Sequence, residues 1–249
     1  MTFLQPVERY PKVLWLNTSV SFAQFENNLI ETLSSSTSLG VWKYRQNQDE
    51  GCSLDIAVRL LHHYLRLSPY PIHLIGHSTA GLVGLLYARK YPEKVKSLTL
   101  LSVGAHPAVD WQAHYYVQRQ LLSCDRRIVL QQMVYNLFGY QPREKVREFV
   151  EILEEDLEFS PSPHSLYQRL SIAPQIVPVP VLVCGAQNDV VIDRTQIHGW
   201  QKCFKPGDRF WICHDGSHFF HHFYPQKVKA QILKFWKSLP NSSNIKVLA

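Results

Sequence analysis

PIHLIGHSTAG, residues 71–81, decides the fold of this chain. An apolar run with β-branched residues stops at Gly76, and a helical pattern of apolar residues starts at Gly81. Between them lies Ser78, with the small residues Gly76 and Ala80 two positions away on either side. A strand, one serine on a tight turn and a helix are typical of a nucleophile elbow. Such a turn strains the serine backbone and lifts its hydroxyl clear of the sheet, where the helix N-terminus favours negative charge.

This motif resembles that of the α/β-hydrolase superfamily, although Ala80 stands where the commonest form has glycine. In that superfamily the serine is followed along the chain by an acid and then by a histidine. A strand-like run at Val179–Gly185 leads into the loop that contains Asp189, and the resemblance makes Asp189 the acid. Asp193 is the competing candidate, but its position favours the N-cap of a helix over Arg194–Cys203.

The resemblance makes His218 the general base. His218 follows a strand-like run at Arg209–His214 and precedes an amphipathic helix that starts with proline. One alternative places His218 in a histidine-rich surface loop, and another makes it a metal ligand together with His214 and His222. The spacing of four forms a ligand face only on a helix, and Gly216 argues against a helix here. We therefore expect no metal and no cofactor.

The resemblance also implies an oxyanion hole made of two backbone N–H groups. One belongs to the residue after the nucleophile, which is Thr79 here. The other comes from the loop after an early strand, usually marked by His-Gly. In this chain the strand Lys12–Leu16 is followed by Asn17, Thr18 and Ser19 without that pair. Because asparagine tolerates left-handed backbone conformations, Thr18 or Ser19 can present the second donor.

Strand-like and helix-like segments alternate over the rest of the chain, which predicts an α/β fold with a mostly parallel, doubly wound sheet. Besides the segments above, we expect strands at Gly40–Arg45 and Val95–Val103 and helices at Phe22–Ser34, Ser53–Leu67 and Pro225–Leu239. The resemblance is to an α/β-hydrolase fold with a shortened N-terminus, because the strand before Asn17 starts so early.

Residues 105–173 break this alternation and match in position the helical lid of the superfamily. We therefore expect a core of residues 1–104 and 174–249 with a lid of residues 105–173 inserted in it. The expected lid helices are Trp111–Leu122, Arg126–Phe138, Pro142–Leu157 and Leu166–Ile172. The acidic segment Glu151–Glu158 predicts a solvated helix face. The lid is rich in aromatic residues, which favours an apolar acyl pocket. The candidate substrate contacts are Asn17, His77, Trp111 and Tyr115.

Composition bounds the remaining possibilities. A chain of 249 residues that is 45% hydrophobic can bury a substantial core. The net charge of +6 is spread along the chain, without the basic stripe of a nucleic-acid-binding protein. The N-terminus lacks a signal-peptide core and the apolar runs are too short to span a membrane, so a cytoplasmic protein is expected. Five cysteines without paired spacing predict reduced thiols.

The sequence as a whole predicts a serine hydrolase acting on a small molecule, a carboxylic ester or thioester with an apolar acyl group, through an acyl-enzyme intermediate. Its oligomeric state is expected to be monomer or homodimer. A peptidase or a carbon–carbon bond hydrolase of the same superfamily remains open. So does a non-catalytic binding protein that retains the fold, for which the missing His-Gly is the only support.

Overall fold

The computed structural model describes residues 10–46, 53–164 and 171–240. These residues form a six-stranded sheet in the order β2-β1-β3-β4-β5-β6. All five strand pairs are parallel. The strands are β1 (Val13–Asn17), β2 (Leu39–Lys43), β3 (Ile72–His77), β4 (Val95–Leu101), β5 (Val181–Ala186) and β6 (Arg209–Cys213). The predicted α/β fold with a mostly parallel sheet is therefore confirmed.

The strand order reverses at β1. From β1 the chain first adds β2 on one side and then returns to add β3 on the other. Leu14 of β1 accordingly pairs with Gly40 of β2 and with Leu74 of β3. In open parallel sheets a crevice forms at such a reversal, outside the carboxyl ends of the strands. Asn17 and His77, the last residues of β1 and β3, lie at this edge.

Helices cover both faces of the sheet. They are α1 (Ala23–Ser34), α2 (Leu54–Leu65), α3 (Ser78–Lys90), α4 (Trp111–Leu121), α5 (Arg126–Phe138), α6 (Arg143–Phe159), α7 (Arg194–His198), α8 (Phe220–Phe223) and α9 (Pro225–Ser238). Side chains alternate between faces along a strand. Val13 and Trp15 pack with α9, while Leu14 and Leu16 pack with α2 and α3.

Most predicted elements are present with ends displaced by at most two residues. The predicted helix Arg194–Cys203 divides into α7 and a 3₁₀ helix at Gly199–Cys203. The histidine-containing loop before α9 contains the short helix α8, which the sequence did not predict. The predicted helix Leu166–Ile172 falls mainly on residues 165–170, outside the described residues.

Helices α4, α5 and α6 lie between β4 and β5 in sequence and pack against one another. Aromatic rings join them to the sheet side of the molecule. Phe25 of α1 contacts Phe138 and Phe149, at ring-centroid distances of 4.6 and 5.1 Å. Phe138 also stacks on Phe219, whose backbone N–H donates to the carbonyl of Leu137 at 3.1 Å. These contacts hold the three helices over the carboxyl edge of the sheet.

Two further observations concern the described ranges. Within residues 10–46, 53–164 and 171–240, no helix combines the length and apolar composition that a bilayer span requires. Four cysteines in those ranges, Cys124, Cys184, Cys203 and Cys213, are free thiols. Burial raises the pKa of the Cys184 and Cys213 thiols, so both carry their proton at neutral pH.

Candidate active site

Ser78 lies at the sharp turn between β3 and α3, with a backbone φ of +49°. This left-handed conformation is uncommon for a residue other than glycine and indicates local strain. The turn requires very small neighbours. A Cβ on Gly76 would lie 2.6 Å from the backbone nitrogen of Gly81, and a Cβ on Gly81 would lie 2.8 Å from the carbonyl oxygen of Gly76. The two glycines therefore let the strand and helix approach closely enough to form the turn.

His218 and Asp189 form a buried pair at the ends of β6 and β5. Nδ1 of His218 lies 2.9 Å from Oδ2 of Asp189, and both side chains are almost completely buried. The other carboxylate oxygen accepts hydrogen bonds from the backbone N–H groups of Val191 and Ile192, each at 2.9 Å. Nε2 of His218 has no hydrogen-bond partner among the described residues. The imidazole is thus held from its Nδ1 side while Nε2 is available to accept a proton.

Asp193, the competing acid, has a different role. Its carboxylate accepts a hydrogen bond from the backbone N–H of Gln196 at 2.8 Å and caps the N-terminus of α7. The predicted N-cap is therefore confirmed. The structure places Asp189, and not Asp193, against the histidine.

The backbone carbonyl of His218 is fixed by two side chains. The hydroxyl of Ser102, at the end of β4, donates to it at 2.9 Å, and Nε2 of His77 lies 3.1 Å from it. Because a carbonyl oxygen only accepts, His77 must carry its proton on Nε2 in this contact. Burial holds the pKa of His77 well below its ordinary value, which keeps the ring neutral.

A cavity of about 30 Å³ lies beside Ser78. This volume has room for about two water molecules. One side of the cavity, the strand-end wall, consists of residues that follow β1 and β3: Thr18, Ser19, Ser78 and Thr79. The opposite side, the helical wall, consists of residues from α4, α6 and their flanking turns: Asp110, Trp111, Gln112, Asp156 and Ser160.

The structure divides the candidate substrate contacts into two groups. His77 and Trp111 line the cavity. Asn17 and Tyr115 are buried and do not belong to the lining of this cavity. The amide of Asn17 is held at 2.8 Å by Glu26. The ring of Tyr115 packs between those of Trp111 and Tyr116.

The sequence profile of the alpha/beta hydrolase fold matches residues 45–131. An uncharacterised protein of Nostoc sp. is 43% identical over 225 residues, which cover 90% of this chain and 90% of the relative. The chain belongs to the α/β-hydrolase superfamily. A thermophilic esterase superposes with a TM-score of 0.68 at 19% identity, over 92% of this chain and 90% of the esterase. Naproxen esterase (carboxylesterase NP) from Bacillus subtilis superposes with a TM-score of 0.70 at 15% identity, over 92% of this chain and 84% of that esterase.

In this α/β hydrolase, Asp156 is the most densely hydrogen-bonded side chain around the cavity. One carboxylate oxygen accepts from three serine hydroxyl groups and the other from an indole and an amide. The donors are Ser19, Ser21, Ser160, Trp111 and Gln112. The expectation of a solvated acidic face over Glu151–Glu158 is wrong for Asp156, which is 1% exposed. Its helix face joins α6 to α4 and to the turn after β1, and burial raises the pKa of the carboxyl group.

Two more buried acids line the same cavity. Asp110 caps α4 by accepting from the N–H of Ala113 at 2.8 Å, and it accepts from the Ser162 hydroxyl at 2.9 Å. Burial raises the pKa of Asp110 to about 6. Glu26 accepts from Asn17, and burial raises the pKa of its carboxyl group to about 8. At neutral pH Glu26 is therefore predominantly protonated.

The helical spacing of apolar residues in the sequence was sufficient to identify Glu26 and Asp156 as acids on buried helix faces. In α1, Glu26 lies among the buried apolar positions Phe25, Leu29 and Leu33. In α6, Asp156 extends a buried series that includes Leu153. A carboxyl group on the apolar face of an amphipathic helix must have polar partners or a raised pKa, because burying an unpaired charge is costly.

His114 of α4 is a third residue that the sequence analysis missed. Its ring is half-buried and hydrogen-bonds to the backbone of Val191 in the loop after β5. Burial and the nearby His218 lower the pKa of His114, while the charge of Asp189 raises it. His114 therefore lies within electrostatic reach of the buried pair.

Proposed function

We propose that this protein is a serine hydrolase in which Ser78 is the nucleophile, His218 the general base and Asp189 the acid that orients the base. The substrate class is a small-molecule carboxylic ester or thioester. The observation that carries the proposal is the Asp189–His218 bond of 2.9 Å, with Nε2 of the same ring unpaired, at the sheet edge that also presents Ser78 at positive φ. The esterases among the structural neighbours agree with this class.

The proposed reaction uses each of the three side chains in turn. Nε2 of His218 accepts the hydroxyl proton of Ser78 as its oxygen attacks the acyl carbon. Asp189 keeps the other ring proton on Nδ1 and stabilises the imidazolium that forms. The imidazolium then gives its proton to the leaving alcohol or thiol, which leaves an acyl-enzyme. A water molecule, deprotonated by the same imidazole, releases the acid and restores Ser78.

The oxyanion of each tetrahedral intermediate requires two donors. The N–H of Thr79 lies in the first turn of α3, where helix N–H groups have no partner within the helix. We propose Thr18 or Ser19 for the second N–H, since both line the same wall of the cavity as Thr79. The hydroxyl of Ser19 is already bonded to Asp156, so its backbone is the available donor. One such donor contributes about 3 kcal/mol to lowering the barrier.

We propose that residues 105–173 act as the lid over this site and that residues 1–104 and 174–249 form the catalytic core. The lid supplies the helical wall, which determines what the cavity accepts. Sequence composition predicted an apolar acyl group. The acids Glu26, Asp110 and Asp156 in the lining, together with the volume of about 30 Å³, favour a second candidate, which is a short and polar acyl group.

Labelling with a fluorophosphonate probe tests the proposal directly, because only an activated serine reacts rapidly. We expect the label on the peptide that contains Ser78, and no label on Ser78→Ala. Ser102→Ala is the matched control, since Ser102 is the other described serine at positive φ and also contacts His218. An unlabelled wild-type protein would support the non-catalytic binding protein, and a label on Ser102 would overturn the assignment of the nucleophile.

A further inference from the structure

Glu26 is an acid next to the proposed catalytic serine that the reaction above does not use. It lies on α1, is almost completely buried, and lines the same cavity as Ser78 and Thr79. Its oxygen Oε2 accepts hydrogen bonds from the Trp15 indole at 2.7 Å and from the Asn17 amide at 2.8 Å. Trp15 lies in the middle of β1 and Asn17 at its end, so one carboxyl oxygen is hydrogen-bonded to two positions of that strand.

The turn that Glu26 fixes is the one that holds the second proposed oxyanion donor. Asn17 ends β1, and Thr18 and Ser19 follow it directly and line the cavity. The superfamily's usual His-Gly is absent there, so this turn needs support from another source. We propose, on the basis of the serine-hydrolase function above, that Glu26 positions the turn at Asn17 by accepting its amide hydrogen, and that the loss of the Glu26 proton turns catalysis off.

The charge state of Glu26 follows from its surroundings. Burial raises its pKa to about 8, against smaller opposing effects from Asn17, Trp15 and the positive charge of Lys43. At neutral pH the carboxyl group of Glu26 is therefore predominantly protonated and uncharged. Above pH 8 it becomes an anion beside the position where the oxyanion develops, and like charges in a largely buried site repel strongly. Activity should therefore fall as pH rises through the pKa.

Other titratable groups face α1 from the elements packed around it. They are Lys43 on β2, His77 at the end of β3, His221 and His222 on α8, Lys229 on α9, and Asp110 and Asp156 in the cavity lining. Burial lowers the pKa of the three histidines and the pKa of Asp110 is about 6, so these four do not titrate near pH 8. A difference between the pH profiles of wild type and a Glu26 variant therefore reports the titration of Glu26, because the other groups are the same in both proteins.

The test compares Glu26→Gln with Glu31→Gln from pH 6 to 10, using p-nitrophenyl acetate with subtraction of spontaneous hydrolysis. Glutamine keeps an acceptor for Asn17 and Trp15 and cannot ionise. Glu31 is an exposed acid on the same helix. We expect kcat of wild type and Glu31→Gln to fall by about tenfold per pH unit above pH 8, and kcat of Glu26→Gln to stay level. Glu26→Ala should lower kcat more than it changes KM. Glu26→Gln should have a kcat close to that of wild type at neutral pH.

Stability supplies a readout that is independent of catalysis. Because the folded-state pKa of Glu26 lies above its unfolded value, the unfolded chain releases this proton first as pH rises. The melting temperature of wild type should accordingly fall more between pH 5 and pH 9 than that of Glu26→Gln.

A measurement on the wild type covers the case in which the variants do not fold. NMR with carboxyl-¹³C glutamate should show one resonance that titrates near pH 8. The absence of such a resonance, or an alkaline decline that persists in Glu26→Gln, would overturn the role of Glu26. These results differ from a failure of the proposed function itself, in which wild type would neither hydrolyse esters nor react with the fluorophosphonate probe.

Discussion

The two walls of the cavity are held in different ways. In the strand-end wall, Ser78 is fixed by backbone geometry, because it lies on a strained turn between β3 and α3. Asp189, behind this wall, likewise accepts two backbone N–H groups. The helical wall is fixed by one carboxylate. Asp156 gathers side-chain donors from α4, from its own helix end and from the turn after β1.

This difference separates chemistry from selectivity. Reacting groups need positions held within a fraction of an ångström, and strand ends in a parallel sheet provide them. The wall that determines the substrate is attached through polar side chains, and these are easier to change one at a time. We therefore expect substitutions in the strand-end wall to alter turnover at constant stability, and substitutions in the helical wall to alter stability and selectivity.

The largest effect should come from Ser78 in the strand-end wall and from the proposed base His218. Ser78→Ala and His218→Ala should each lower kcat by about 10⁶-fold while the protein stays folded, because the two groups act as a unit. Steady-state kinetics with a p-nitrophenyl ester measures the loss, and circular dichroism checks the fold. The double variant should be no worse than either single one, whereas multiplied losses would show that the two residues act separately.

The next effect concerns the acid behind the wall. Asp189→Asn should lower kcat by about 10⁴-fold, since an amide no longer selects the Nδ1–H tautomer of His218. Asp193→Asn is the matched control and should cost at most about 1 kcal/mol of helix capping, read from urea unfolding. An inactive Asp193→Asn protein beside an active Asp189→Asn protein would reverse the assignment.

In the helical wall the expected change is in stability. Asp156→Ala removes the acceptor of three hydroxyl groups and an indole, and the buried donors left behind should cost about 3 kcal/mol or more of unfolding free energy. Glu155→Ala, one residue away on the exposed face, should stay within about 0.5 kcal/mol of wild type. Equal losses in urea unfolding would mean that the Asp156 contacts do not stabilise the wall.

The smallest effect should be on acyl-chain selectivity. Trp111→Ala enlarges the cavity, and each methylene group it then buries is worth about 0.8 kcal/mol, or roughly a factor of four in kcat/KM. We expect the optimum to move from acetyl toward longer p-nitrophenyl esters. Tyr115→Ala, whose ring lies off the cavity, should lose stability with an unchanged optimum. Identical shifts in both variants would argue against this cavity as the acyl site.

Local sequence patterns predicted the elements of the sheet side well. Strand β1 is displaced by one residue, and helix α1 begins one residue later than predicted and ends at the predicted residue. The order of Ser78, Asp189 and His218 along the chain was also readable, because each follows a strand and parallel strands end at one edge. A short motif specifies local backbone geometry. The position of Ser78 in the strand-end wall depends on that geometry.

The helical wall depends on contacts between residues far apart in the chain, and a local pattern can mark a buried acid without identifying its partners. Asp156 was assigned to a solvated face because acidic residues surround it, yet it bonds to Ser19, 137 residues earlier. Tyr115 was predicted at the pocket on ring content, and its ring packs against those of Trp111 and Tyr116. Which side of a helix faces a cavity is settled by tertiary packing, and composition cannot express it.

The two hydrogen bonds to the carbonyl of His218 have a practical consequence. Ser102 and His77 hold the main chain at this position, and neither contact involves the ring of His218. A His218→Ala protein should thus retain the shape of the loop while lacking the base. Such a variant can be soaked with intact ester, and the substrate can be seen in a crystal before any bond is broken.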